Sequence, residues 1–236
     1  MRGQKLAAEY TRKLRRNAIL RAMEKRQLSA LDKMLASAGN ALRTVAAPAG
    51  RAARKSPAAE IDHVDLDAKQ KAHAAGLMRV NHAGEIAAQA LYQGHAAVAR
   101  DKTIENQMKQ AADEEFDHLA WCEERLHELG YETSRLAPLW YAGAFAIGAA
   151  SGVLGDRWSL GFIAETEKQV CSHLESHLDR LPKEDARSRA IVHQMRDEEA
   201  QHGANAISAG AVELPRPVVR LMRATAKVMT NTAYWV

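Results

Sequence analysis

At 236 residues the chain is long enough to bury a sizeable core in one or two domains. Aromatic residues make up only 5% while alanine is plentiful, which favours a helical protein. The net charge of +4 hides an asymmetry: residues 1–59 hold 14 Lys and Arg against 3 Asp and Glu, so the pI near 9.1 belongs to a basic N-terminal arm on an otherwise acidic chain. Cys122 and Cys171 are the only cysteines. With no secretory signal before them, a reduced compartment is expected rather than a disulfide framework.

Residues 1–46 are basic and helix-prone, with Leu6, Leu14, Ile19, Leu20, Met23, Leu28, Leu31, Met34 and Leu35 loosely periodic. Arg-rich starts of this kind can be organelle transit peptides, but Glu9 and Glu24 weigh against that. The arm suits anionic lipid or nucleic acid, and otherwise reads as a solvated extension. Pro48–Glu60, rich in Ala, Pro, Gly and basic residues, reads as a linker. The expected organisation is a basic extension and linker over 1–60 and a bundle domain over 61–236.

A first core helix is predicted from about Asp67 to Val98, carrying His73, Met78, His82, Glu85 and Tyr92. Tyr92 lies two turns after Glu85; it is read first as a packed core tyrosine, with a place facing the site as the alternative. The second helix runs from about Thr103 to Leu129 and stops at Gly130. From Leu136 to Gly155 twenty residues pass without a charge. That length alone permits a membrane span. Its Gly and Ala content, and its place between two matching halves of the chain, indicate instead a crossover helix with one face on the bundle and one toward lipid or an apolar ligand. Asp156 is suited to cap a third core helix reaching about Arg180, which carries Glu167 and, one turn on, Cys171, read as a core residue. A fourth helix spans about Asp185–Ser208. After Pro215 and Pro217, Arg216, Arg220, Arg223 and Lys227 form a basic stripe, while Leu221, Met222, Thr225, Val228 and Met229 line another face and Tyr234 and Trp235 end the chain. This last helix suits an anionic membrane interface or a place packed on the bundle.

The chemistry is carried by a repeat. Asp113-Glu114-Glu115-Phe116-Asp117-His118 returns 84 residues later as Asp197-Glu198-Glu199-Ala200-Gln201-His202. Residues three apart on a helix share a face, so Glu115 with His118, and Glu199 with His202, each offer a carboxylate and an imidazole to one point. Glu114 and Glu198, four residues before the same histidines, leave the register open. Each copy has a Glu upstream: Glu85 lies 30 residues before Glu115, and Glu167 lies 32 before Glu199, with Glu165 not separable from it by geometry. Ligands at one height in an antiparallel helix pair need a turn near their midpoint. Arg100-Asp101-Lys102 and Leu181-Pro182-Lys183-Glu184-Asp185 fall there and carry turn or helix-start signals. The chain therefore reads as two duplicated helical hairpins that give four Glu and two His, the donor set of di-iron and di-manganese carboxylate bundles. Carboxylate and imidazole favour iron or manganese over a thiolate metal. Such a site either oxidises iron for storage or activates dioxygen. A charge-free helix and a basic amphipathic end beside the site favour a lipophilic substrate.

The stretches RVNHAGEIAAQALYQGH, DEEFDHL, the Gly- and Ala-rich crossover, AETEKQVCSHL and RDEEAQH resemble, in order and spacing, the demethoxyubiquinone hydroxylases of ubiquinone biosynthesis over about residues 62–236. The resemblance implies an all-α, ferritin-like four-helix bundle with a long hydrophobic crossover helix and a C-terminal amphipathic helix. It implies an O2-dependent monooxygenase with two iron ions per chain, hydroxylating the ring of a polyprenyl quinol. Carried over by position, the metal and catalytic residues are Glu85, Glu115, His118, Glu167, Glu199 and His202, and His173 falls where the family has a histidine near the site. Tyr92, His82, His173, Asp113 and Asp197 are candidates for outer support of the ligands. The implied partners are the quinol, the membrane surface, and other ubiquinone-biosynthesis proteins or a second copy, without nucleic acid. The implied place is the cytoplasmic face of a bacterial inner membrane rather than a mitochondrial one. Family members begin near Met23, leaving the first 22 residues outside the resemblance. The rival readings are a di-iron hydroxylase of a modified tRNA base, disfavoured because the basic residues lie at the chain ends, and an iron-storage ferroxidase. No Gly-x-Gly-x-x-Gly fingerprint is present, so any nicotinamide reductant would act without a Rossmann domain.

Overall fold

The computed structural model describes residues 30–46 and 52–236. The helix-prone arm before residue 30, the proposed start near Met23 and the first part of the linker lie outside the described residues. The chain divides into two compact units after Gly39, and all that follows concerns the second, Asn40–Val236. Every regular element among the described residues is an α-helix: α1 Ala30–Ala46, α2 Ala68–Val98, α3 Lys102–Leu129, α4 Ala137–Val153, α5 Asp156–Arg180, α6 Ala186–Ser208 and α7 Arg216–Ala233.

Local chemistry sets these bounds. Asp67 caps α2 in a reciprocal box: its carboxylate accepts from Gln70 N–H at 2.8 Å while the Gln70 side chain accepts from Asp67 N–H at 3.0 Å. Asp101 accepts from Thr103 N–H and Asp185 from Ser188 N–H, starting α3 and α6. Gly130 ends α3 at φ 82°, a left-handed conformation that costs glycine little. One expected cap is corrected. Gly155, not Asp156, sits at the N-cap of α5 and gives no side-chain bond. The Asp156 carboxylate instead accepts from the N–H groups of Arg100 and Asp101 at 3.1 and 2.9 Å, because the α2–α3 turn comes down beside it.

The α2–α3 and α5–α6 pairs are helical hairpins, and α4 crosses from one to the other while packing along α2. The backbones of α2 and α4 touch: a Cβ on Gly94 would stand 2.4 Å from the Phe145 carbonyl oxygen, and one on Gly148 2.4 Å from that of Leu91. Inward residues of α4 are Ala137, Tyr141, Ala144, Gly148 and Gly152, whereas Leu139 and Ile147 are exposed, as are Val153 at its end and Leu154 beyond it. The crossover thus has the two-faced character expected of it. No helix among the described residues is long and apolar enough to cross a membrane.

Two of the bundle's apolar clusters flank a polar layer. One gathers Leu77, Met78, Trp121, Cys122, Leu126, Leu174, Ile191, Val192 and Met195; the other gathers Tyr92, Met108, Leu160 and Ile163. Each fully buried aliphatic side chain contributes roughly 1.5–3 kcal/mol. Arg125 ties the hairpins together, reaching Asp185 at 2.9 Å and Ser188 Oγ at 2.8 Å in a buried contact between α3 and the start of α6. At the far end α7 docks on α2: the Tyr234 ring lies against Gly76, its hydroxyl is 2.7 Å from His73 Nδ1, and Arg79 donates to its carbonyl. Between the two clusters the four core helices bring their polar residues inward.

Candidate metal centre

All six predicted ligands converge in that layer. Glu85, Glu115, His118, Glu167 and Glu199 are buried, and the His202 side chain is 10% exposed. Of these, Glu85, Glu115, His118 and Glu199 place ligand atoms within 4.8 Å of one another. Glu115 and Glu199 stand between the two histidines. Glu115 Oε2 lies 2.9 Å from His118 Nδ1 and its Oε1 2.9 Å from His202 Nδ1; Glu199 Oε1 lies 3.1 Å from His118 Nδ1 and its Oε2 3.3 Å from His202 Nδ1. Each central carboxylate therefore turns one oxygen toward each imidazole. Glu85 flanks the His118 side, with Oε2 at 3.7 Å from Nδ1. Glu167 flanks the other side and accepts from the Tyr92 hydroxyl at 2.7 Å. Tyr92 is both buried and aimed at the site, so the two readings of it hold together.

The charges are unusual for a protein interior. Burial drives the Glu85 and Glu167 carboxyls well above the usual range, reinforced by the Glu115 and Glu199 carboxylates. Burial also raises the Tyr92 phenol, with the Glu167 charge adding to it. For Glu115 burial acts the same way, but bonds and charge from His118 and His202 outweigh it and hold the carboxyl low. Burial disfavours charge on His202, yet Glu115 and Glu199 push it up to about 12; His118 is raised for the same reasons, with Glu198 adding to them. Protons here fill the place of positive charge. Glu85 Oε2 and Glu167 Oε2 are buried without a hydrogen-bond donor. Orphaned carboxylate oxygens beside imidazoles, with no thiolate among them, fit hard divalent metal ions. Cys171 lies aside, its Sγ 3.7 Å from the Arg196 carbonyl.

Of the expected outer partners Tyr92 reaches a ligand, whereas the two aspartates do not. Asp113 pairs with Arg43 at 2.8 Å and Asp197 with Arg196 and His193, both at the surface. Their places are taken by the next residues. Glu198 Oε2 is 2.7 Å from His118 Nε2, and Glu114 Oε2 is 3.0 Å from His202 Nε2. Each of these carboxylates serves the histidine of the opposite hairpin. Position four before a histidine predicts contact with its own histidine; the crossed pairing is a product of helix packing that no spacing within one copy reveals. His82 is buried without a bond at Nδ1, and its pKa is lowered by burial to about 3. His173 lies against His177, ring centroids 4.0 Å apart and planes tilted by 57°, further along α5. Beside Glu167 lies a closed apolar crevice between α2 and α5, too tight to admit a water molecule, lined by Ala88, Leu91, Tyr92, Phe162, Ile163 and Thr166.

Residues 72–233 match the profile of the family described as ubiquinone biosynthesis protein COQ7. The chain belongs to the COQ7 family. Among curated COQ7-family relatives, a 3-demethoxyubiquinol 3-hydroxylase of Polynucleobacter necessarius is 57% identical over 208 residues, covering 88% of this chain and 99% of the relative. Proteins of the same name from Chromobacterium violaceum and Nitrosococcus oceani are 55% and 53% identical, covering 86% and 91% of this chain and 98% and 100% of theirs. COQ7-family similarity thus extends in front of the profile match and takes in nearly the whole length of these relatives.

Proposed function

We propose that the chain is a 3-demethoxyubiquinol 3-hydroxylase, an O2-dependent monooxygenase of ubiquinone biosynthesis whose centre holds two iron ions. The observation that carries this is the pair Glu115 and Glu199, each with one oxygen at His118 and the other at His202. Two carboxylates so placed would help hold a metal pair, with His118 and Glu85 supplying donors on one side of it and His202 and Glu167 on the other. When bound, the irons supply the reduction of dioxygen that makes a ring C–H open to oxygenation. One oxygen atom enters the ring as hydroxyl; the other leaves as water, with two electrons and two protons from the quinol or an external reductant.

The protein's part is to hold and shield. Glu85, Glu167, His118 and His202 give up protons as metal enters, which couples metal affinity to pH. Tyr92 orients Glu167 by donating its hydroxyl hydrogen, and the apolar clusters above and below keep water from the layer. The apolar crevice beside Glu167, lined by Leu91 and Phe162, is the approach for the quinol ring and has to widen to admit it. Leu91 lies against α4 and Arg223 of α7 stands 3.6 Å from Glu165, so both outer helices border this route. The exposed apolar face of α4 and the basic α7 then rest on the cytoplasmic side of a membrane as a peripheral surface, the polyprenyl tail staying in lipid. Residues 61–236 carry every one of these ligands and form the working domain, while residues 40–60 belong to the same compact unit.

The test is anaerobic loading of the purified chain with ferrous iron, then addition of a short-tailed demethoxyubiquinol and 18O-labelled dioxygen. About two irons per chain and product gaining one labelled oxygen are expected. Loading with many irons as mineral, without quinol turnover, indicates a storage ferroxidase; turnover of a modified tRNA base in place of the quinol indicates the other rival.

A further inference from the structure

We propose that Arg54, in the segment ahead of the helical bundle, is a positioning residue that braces the His118 half of the metal site through Glu198; this rests on the two-metal reading above. Arg54 lies before the residues matched by the family profile, and its guanidinium closes a built arrangement. Its Nη1 and Nη2 donate to Glu198 Oε1 and Oε2 at 2.6 and 2.9 Å, and its Nε donates to Asp117 Oδ2 at 2.6 Å. The backbone N–H of Ala53 donates to the other Asp117 oxygen at 2.6 Å. The guanidinium lies 4.8 Å from the centre of the Trp121 ring, Trp121 Nε1 donates to the Arg54 carbonyl at 3.3 Å, and the same indole stands 5.4 Å from the His118 ring. Gln194 adds a further donor to Glu198 Oε1 at 2.6 Å. Glu198, so gripped on both oxygens, faces His118 Nε2.

The consequence for the metal site is tautomeric and geometric. A carboxylate fixed at Nε2 keeps a proton on that nitrogen, so Nδ1 is the nitrogen that gives up its proton and offers its lone pair inward when metal enters, and the ring cannot swing. Planar, two-pronged Arg–carboxylate contacts supply direction that a lysine cannot reproduce.

The opposite half has no such grip among the described residues. Glu114, the partner of His202 Nε2, accepts only from Gln110 at 2.9 Å, and its side chain is 45% exposed against 22% for Glu198. The nearest counterpart, Arg43, pairs with Asp113 and lies over Phe116 instead. A duplicated ligand set is thus held by an unduplicated brace. The two metal positions should differ in affinity, the His118 position being the tighter.

Titration of the iron-free protein with cobalt(II), followed by its visible absorption, tests this without turnover. The unaltered chain should bind in two resolvable steps. Arg54→Lys, which keeps the charge and loses the fork, and Arg54→Gln should each weaken the tighter step about tenfold and leave the other within about twofold. Glu198→Gln should weaken the same step, and Glu114→Gln the other. If Arg54→Lys leaves both steps within twofold, or lowers both alike whether or not its melting temperature falls, the brace is refuted while the metal pair stands. If the unaltered chain takes up no cobalt pair, the two-metal reading fails first and the brace with it.

Discussion

Glutamate identity at four neighbouring positions decides the chemistry at the scale of single residues. Glu115 and Glu199 are fully buried between two imidazoles, while Glu114 and Glu198 stand one residue earlier, partly exposed, against the outer nitrogens. A 100° turn of the helix per residue separates a carboxylate set between the imidazoles from one set behind them. Replacing Glu115 or Glu199 by alanine should therefore lower the rate of quinol hydroxylation by more than about 100-fold and cut bound iron below the pair. Alanine at Glu198 should cost about tenfold to 100-fold, and at Glu114 less, since these act through a histidine rather than on the metal. Rates and iron content measured on the same preparations check the order. Should Glu114 and Glu198 prove the costlier pair, the register assigned to the two repeats is wrong.

Among the elements, α4 and α7 each turn several apolar side chains outward, whereas the four core helices expose one large apolar side chain, Ile207. Leu139 and Ile147 on α4 and Leu221 and Val228 on α7 are exposed, whereas Trp140 and Phe145 are half-buried and pack toward the bundle. Charge placed on the first group disturbs no core contact. The paired changes Leu139→Asp with Ile147→Asp, and Leu221→Asp with Val228→Asp, should leave the melting temperature within a few degrees and reduce flotation with anionic vesicles. Salt should weaken binding of the unaltered chain only in part, because screening acts on Arg216, Arg220, Arg223 and Lys227 and not on the apolar contact. Equal flotation of all three proteins would show that these faces meet something other than lipid.

For the molecule as a whole, buried histidines outside the metal layer set its response to acid. His95 is fully buried against Phe162, neither ring nitrogen has a hydrogen-bond partner, and burial lowers its pKa to about 4. The unfolded chain takes up a proton at this residue near pH 6.5, which the folded chain refuses until about pH 4. Its neutral form is thus a source of stability lost as pH falls through that window, by at most about 3 kcal/mol. His95→Leu removes both the penalty and two unsatisfied nitrogens. Thermal melts of the metal-free protein at pH 7 and pH 5 should show a smaller drop for His95→Leu than for the unaltered chain. An equal drop would mean that His95 gains a proton within the folded state.

Much of this molecule is legible from the order of its residues. The repeat of DEExxH, the midpoint turns, Asp67 and Gly130 at helix ends, and the uncharged run from Leu136 to Gly155 carry the fold and the site, because helix periodicity and capping are local and act over a few residues. Asp156 misleads for the opposite reason: its carboxylate is drawn to the amides of a turn 55 residues earlier, which no local pattern records. The crossed pairing of Glu198 with His118 and Glu114 with His202 depends on how two hairpins face each other, and the grip of Arg54 on Glu198 spans 144 positions. Residue order alone sets which donors exist and on which helix faces they lie. Only tertiary packing decided which carboxylate meets which imidazole nitrogen, since hydrogen bonds reach about 3 Å and that distance is set by the approach of helices remote in the chain.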